Sequence, residues 1–319
     1  MLRKRTGAGD FLFLGGTGFF ALVLVAIVCG IGVVLWRHSL LTLQAFGFKF
    51  WWTHTWNPVS GDFGAWPFIW GTLYSSFLAL LIATPISLGI AIFLTELCPH
   101  WLRQPLVFLT ELLAAIPSIV YGLWGIFVLV PAVRSFQLSL PDTIRSLPLF
   151  HGPPVGVSLL SAALVLAIMI IPFTSSVARE VLKAVPPTQR EAAYALGSTQ
   201  WEATKVGLYY ARTGIVGAII LGLGRALGET MAVTMVIGNT PQAVWSIFAP
   251  QYTMAAVIAN EFAEAATPQH ISALVEIGLL LFIVTLGVNL AARLLIWNMA
   301  RERSMPTISA PLVPEQAGP

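Results

Sequence analysis

Arg225 and Glu229 stand four residues apart inside the apolar run from Ile215 to Ile237. On a helix that spacing puts both side chains on one face. A charge near the middle of a membrane span costs on the order of 3 kcal/mol on insertion scales, so it must face a partner or a wet cavity. One reading is a substrate pathway in which Arg225 offers a planar guanidinium fork to an oxyanion while Glu229 restrains it. The other is a structural bridge between Arg225, Glu229 and either Glu111 or Glu276, which also fall within apolar runs.

A second set of residues lies between Ala178 and Arg212. Pro186 and Pro187 stop the helix before them. Thr188 with Glu191 forms a T-x-x-E pattern, which predicts a capping box and a helix of about two turns. Gly197 suits a left-handed helix end, and Thr199 with Glu202 repeats the pattern to open the next helix. The short helix presents Ala192, Ala193 and Leu196, a small-residue face that fits either a partner's groove or the membrane surface.

The elements that must hold these residues follow from composition. Of 319 residues 57% are hydrophobic and 10% charged, against roughly a quarter charged in soluble domains. A bilayer core about 30 Å thick needs roughly 20 apolar residues per helix. Six blocks meet that length: Phe13 to Trp36, Phe68 to Leu94, Leu106 to Val133, Val155 to Val177, Thr213 to Gly238 and Ser272 to Trp297. They are continuous rather than alternating, which excludes a barrel and makes the fold all-α with six transmembrane helices. The first block follows Arg3, Lys4 and Arg5 but is longer than a signal-peptide core and has no small-residue cleavage site after it, so it is read as a retained span.

Alternating the loops places Arg3, Lys4, Arg5, Arg103, Arg179, Lys183, Arg190, Lys205, Arg212, Arg301 and Arg303 on one side, eleven in all. Arg37, Lys49, Arg134 and Arg145 make four on the other. Cytoplasmic loops carry the excess of Lys and Arg, so both termini and the 178–212 loop are expected to be cytoplasmic. The net charge of +3 is thus a matter of topology and gives no sign of nucleic acid.

Trp51, Trp52, Trp56, Trp66 and Trp70 read as an interface belt around the second span's entrance. Pro85, Pro117 and Pro172 should kink their helices. Gly222, Gly224 and Gly228 read as helix-contact positions. Cys29 and Cys98 suggest packing rather than a disulfide. The five histidines, His38, His54, His100, His151 and His270, are scattered outside the apolar blocks, without ligand spacing, so no metal or cofactor is expected. No Gly precedes any of the four lysines, so a phosphate-binding nucleotide loop is missing and ATP hydrolysis would fall to another chain. A membrane-embedded enzyme using Glu229 or Glu111 as acid or base would need a nucleophile or metal cluster that the sequence does not offer.

The stretch Glu191-Ala192-Ala193 followed by Gly197 resembles the EAA loop of binding-protein-dependent ABC importer permeases, whose short cytoplasmic helix docks on an ATPase subunit. Leu208-Tyr209 stands where that motif has Leu-Pro. The run Gly222 to Asn239, G-L-G-R-A-L-G-E-T-M-A-V-T-M-V-I-G-N, and the run Ala115 to Trp124, A-I-P-S-I-V-Y-G-L-W, are similar to the PstC-type permeases of phosphate importers. The likeness extends from about Phe63 to Trp297. It implies a MetI-like, type I importer core of five helices over 63–300. Before it would come an N-terminal tail, span and linker over 1–62, and after it a cytoplasmic tail over 301–319. It further implies Arg225 and Glu229 as phosphate-pathway residues, and Glu191, Ala192, Ala193 and Gly197 as the ATPase-coupling set. The implied partners are a second, PstA-type permease, two PstB-type ATPase subunits, a periplasmic PstS-type phosphate-binding protein and the lipid bilayer of a bacterial inner membrane. From the guanidinium alone, sulfate or molybdate stays open as an alternative substrate.

Overall fold

The computed structural model describes residues 8–301. The tails with Arg3, Lys4, Arg5 and Arg303 lie outside the described residues. Among those described the regular elements are all helical, with isolated bridges only at Asn57–Asp62 and Gly238–Gln251. In chain order the helices are α1 (Ala8–His38), α2 (Leu40–Phe46), α3 (Trp66–Ile92), α4 (His100–Ala115), α5 (Ser118–Trp124), α6 (Val130–Ser139), α7 (Asp142–Arg145), α8 (Leu159–Lys183), α9 (Pro187–Ala195), α10 (Gln200–Leu227), α11 (Met231–Val236), α12 (Met254–Glu261) and α13 (Pro268–Arg301). Six stretches are long and apolar enough to cross a membrane: Leu12–His38, Trp66–Leu97, Ser118–Ser139, Leu159–Lys183, Gln200–Leu227 and Pro268–Asn298.

Two of the expected spans are redrawn. The block Leu106 to Val133 breaks at Ile116-Pro117, where ψ is 130° and 140°. Proline has no N–H to give the ladder and pushes the residue before it into extended backbone. Pro117 therefore ends α4 instead of kinking a span, and the third crossing is Ser118–Ser139, with a π-helical turn at Gly125–Leu129. The block Thr213 to Gly238 starts earlier, at Gln200, and stops at Leu227. Pro85 and Pro172 do lie inside α3 and α8 as expected.

The heart of the bundle is α3 against α8. Ser75, Ala79, Ala83, Ser87 and Ala91 recur every four residues on α3 and are buried to the last, facing Ala162, Ala163, Ala167 and Ala178 of α8. In lipid there is no hydrophobic drive between helices, so close backbone approach over small residues supplies the attraction. The Ser87 hydroxyl adds a bond to the Ile171 carbonyl at 3.4 Å.

At the far end from the 178–212 loop, residues 237–253 fold over the start of α8. The first free amides of that helix are met by the loop: Ser158 N–H donates to Val236 O, Leu159 to Ala249 O and Leu160 to Ile247 O, at 2.8–3.1 Å. A second core of Phe50, Phe63, Phe68, Tyr252, Met254 and Leu274 lies nearby. The tryptophans there are not a simple belt. Trp51 donates to Glu276 at 3.3 Å, Trp56 to Glu261 at 3.0 Å and Trp70 to Val244 O at 3.1 Å, while Trp52 is exposed. Their indole N–H groups found partners inside the protein, which headgroup-level residues do not need. Helix α1 packs on α13 and α2 and otherwise exposes its apolar side chains.

Candidate functional site: a broken span and a projecting helix

Helix α10 ends two residues after Arg225. Gly228 caps it, and the chain resumes helical geometry only at Met231. Glu229 therefore lies outside the helix that carries Arg225, and the shared-face spacing read from the sequence does not apply. No ion pair joins the two among the described residues. The Glu229 carboxylate turns to the next element instead and accepts the Ala232 N–H at 3.3 Å, serving the start of α11. Arg225 is exposed on the chain's flank, with its guanidinium carbon 5.9 Å from the Phe173 ring centroid. The ring face attracts a cation and leaves its N–H donors available.

The bridge to other carboxylates is likewise not formed. Glu111 accepts from Arg179 at 3.4 Å. Glu276 is wholly buried and holds the Trp51 indole. Among the described residues no carboxylate pairs with Arg225, which stands beside a helix break; broken helical backbone at membrane depth is tolerated only where it is buried in protein or lines a cavity.

The break is held stiffly. Gly122 lets α5 cross α11 so closely that a Cβ there would sit 3.1 Å from Ala232 Cα and 2.6 Å from Met235 Sδ. A Cβ on Gly125 would come within 2.9 Å of Val236 and 3.0 Å of Val165. Gly222 does make the expected helix contact: a Cβ there would come within 2.6 Å of Thr174 Oγ1 and 2.9 Å of Ile170 of α8, and that Thr174 hydroxyl is buried without a partner. Gly228 instead serves as the helix end. Phe173, Thr174, Gly122 and Gly125 were not singled out from the sequence. Gly122 and Gly125 lie in or just beyond the A-I-P-S-I-V-Y-G-L-W run, so a signal existed, whereas Phe173 carries none until α8 and α10 are placed side by side.

Helix α9 forms where expected but starts two residues early. Pro187 takes the first helical position, where a missing N–H costs nothing. Thr188 then lies inside the helix, Pro186 is the cap residue, and the Thr188–Glu191 capping box does not form. The far end matches expectation. Gly197 has φ +81°, its N–H reaches Tyr194 O at 2.9 Å and the Ser198 N–H reaches Ala193 O at 3.2 Å, the paired bonds of a Schellman end. The Thr199–Glu202 box is complete, with Thr199 N–H on Glu202 Oε2 at 2.8 Å and the Glu202 N–H on Thr199 Oγ1 at 3.4 Å. Glu191, Ala192 and Gly197 are exposed and Ala193 half-buried, while Leu196 is 89% exposed.

The family described as binding-protein-dependent transport system inner membrane component matches residues 87–301. A PstC phosphate transport permease of Pasteurella multocida is 49% identical over 95% of this chain and 99% of its own length. One from Haemophilus influenzae is 48% identical over 92% and 95%, and a probable one from Methanocaldococcus jannaschii 37% over 85% and 88%. The chain belongs to this permease family, on its PstC branch.

The solved structures agree on the fold. A methionine ABC transporter in an inward-facing conformation aligns with TM-score 0.55 and 18% identity over 72% of this chain and 94% of that one. A bacterial ABC transporter that imports alginate aligns with TM-score 0.55 and 16% identity over 95% and 98%. The permease is a multi-pass inner membrane protein with the type I importer, MetI-like fold.

Proposed function

We propose that this permease is the PstC-type half of the membrane pathway of an ATP-driven phosphate importer. The observation that carries the reading is identity of 37–49% to phosphate permeases along nearly the whole chain, joined to an exposed guanidinium at a span's break. Those relatives disfavour sulfate or molybdate. Domain division, orientation and site roles complete the proposal: the span and linker of 1–62 flank a core of 63–300, both termini are cytoplasmic, and α9 docks on an ATPase. A PstA-type permease faces Arg225, two PstB-type subunits hydrolyse ATP, and a PstS-type protein delivers phosphate from the periplasm.

The chemistry follows from charge. An anion leaving water loses its hydration, and a preorganised guanidinium fork replaces part of it with two parallel N–H donors. Because the Glu229 carboxylate is spent on α11, the Arg225 charge is available to a passing anion. Because Arg225 is fixed on a helix end rather than a loop, the donors are placed before the anion arrives. ATP-driven motion of α9 would then open the pathway to one side at a time. Uptake of radiolabelled phosphate in cells that rely on this importer tests the assignment: wild-type uptake by a normally assembled Arg225→Gln variant would return Arg225 to a structural role.

A further inference from the structure

We propose that the ion pair between Arg190 and Glu96 is the latch through which α9 moves the α3–α8 pair, which makes Arg190 a positioning residue of transport. The proposal rests on the docking role given to α9 above. Arg190 lies one residue before the exposed Glu191 and Ala192 but turns the other way. Its Nη2 meets Glu96 Oε1 at 2.7 Å and donates to the Leu182 carbonyl at the end of α8 at 3.1 Å. Glu96 sits in the π-helical turn Phe93–Leu97 that ends the second span, where the Cys98 N–H reaches back to Phe93 O at 2.8 Å. Gln200, at the head of α10, donates to the Glu96 carbonyl at 3.3 Å. The guanidinium also lies on α10 at Gly207, where a Cβ would come within 3.3–3.4 Å of Nε and Nη2. One side chain of α9 thus meets the ends of three spans.

Burial decides that this is more than surface charge. The Arg190 and Glu96 side chains are 18% and 14% exposed, whereas the Arg145–Asp142 pair is 34% and 98% exposed and Lys183–Glu180 45% and 59%. Exposed pairs contribute little. A shielded, short, charge-assisted pair resists separation, because parting it leaves two charges with little water to meet them. The helix α9 is further tied to the bundle by the Pro186 turn, the Gly197 turn and its packing on α10. A displacement of α9 that reaches α3 and α8 has its stiffest route through Arg190.

The test uses the full importer, with all its subunits, in liposomes supplied with binding protein, reading phosphate moved per ATP hydrolysed. Arg190→Gln and Glu96→Gln should each assemble and hydrolyse ATP while that ratio falls about tenfold, a typical size for coupling between sites. The double variant should be no worse than either single one, since both remove the same contact. Arg190→Lys should fall in between, keeping charge but losing the fork. Gly207→Leu keeps both charges while displacing the guanidinium, and should uncouple as well. A wild-type ratio in either Gln variant or in Gly207→Leu, or additive losses in the double, would overturn the latch. Ala193→Trp serves as the control for docking. If it assembles and couples normally the docking reading itself fails, and if it uncouples while the Arg190 and Glu96 variants do not, only the latch fails.

Discussion

Arg225→Lys keeps the charge at the break of the fifth span but replaces a planar fork with a point donor on a flexible stem. Phosphate uptake should drop clearly with Lys and further with Gln, measured per assembled complex. Glu229 calls for a different pair of variants, because its carboxylate serves the α11 amide of Ala232. Glu229→Gln retains an oxygen that accepts this N–H and should leave stability near wild type. Glu229→Ala removes the acceptor and should cost about 1 kcal/mol, as helix-start acceptors generally do, read as a lower melting temperature of the solubilised complex. Equal stability of the two variants would show that the carboxylate does not hold α11.

At the scale of elements, the crossing of α5 and α11 fixes where the span breaks. Gly122→Leu would drive a side chain against Ala232 Cα and Met235, an overpacking that costs roughly 1–3 kcal/mol. The variant should insert yet melt earlier and carry less phosphate. Normal stability would mean that α5 slides freely over α11. In the projecting loop, Gly197 is left-handed at φ +81°, a conformation β-branched residues avoid. Gly197→Val should therefore disturb the α9 end and weaken assembly with the ATPase or its stimulation by substrate, whereas Gly197→Asn should be tolerated. A normally assembled and stimulated Val variant would count against the turn's part in docking.

For the whole molecule the decisive expectation is topology. With Cys29 and Cys98 replaced, single cysteines at Ser198 and Gln242 should react with an impermeant thiol reagent from opposite faces of the membrane, Ser198 from the cytoplasm. Labelling from the same face would refute a crossing between them and with it the six-span arrangement.

Residue types and spacing were enough to set the all-α class and the number of crossings, because the bilayer forces about 20 apolar residues into each span. They also set the Schellman end at Gly197 and the Thr199–Glu202 box, since both depend on neighbours within one turn. The contact stripe on α3, Ser75 to Ala91 at intervals of four, was equally local and went unread among so many small residues. Tertiary structure alone decided the rest. It ended α10 at Leu227, so that Glu229 parted from Arg225, and it took Glu111 and Glu276 to other partners. It also brought Phe173 beneath Arg225, and Arg190 onto Glu96 from ninety-four residues away. Local pattern reports what backbone geometry requires within a few residues. Which charges meet is settled only when separate helices pack and each buried polar group takes the partner that packing puts within reach.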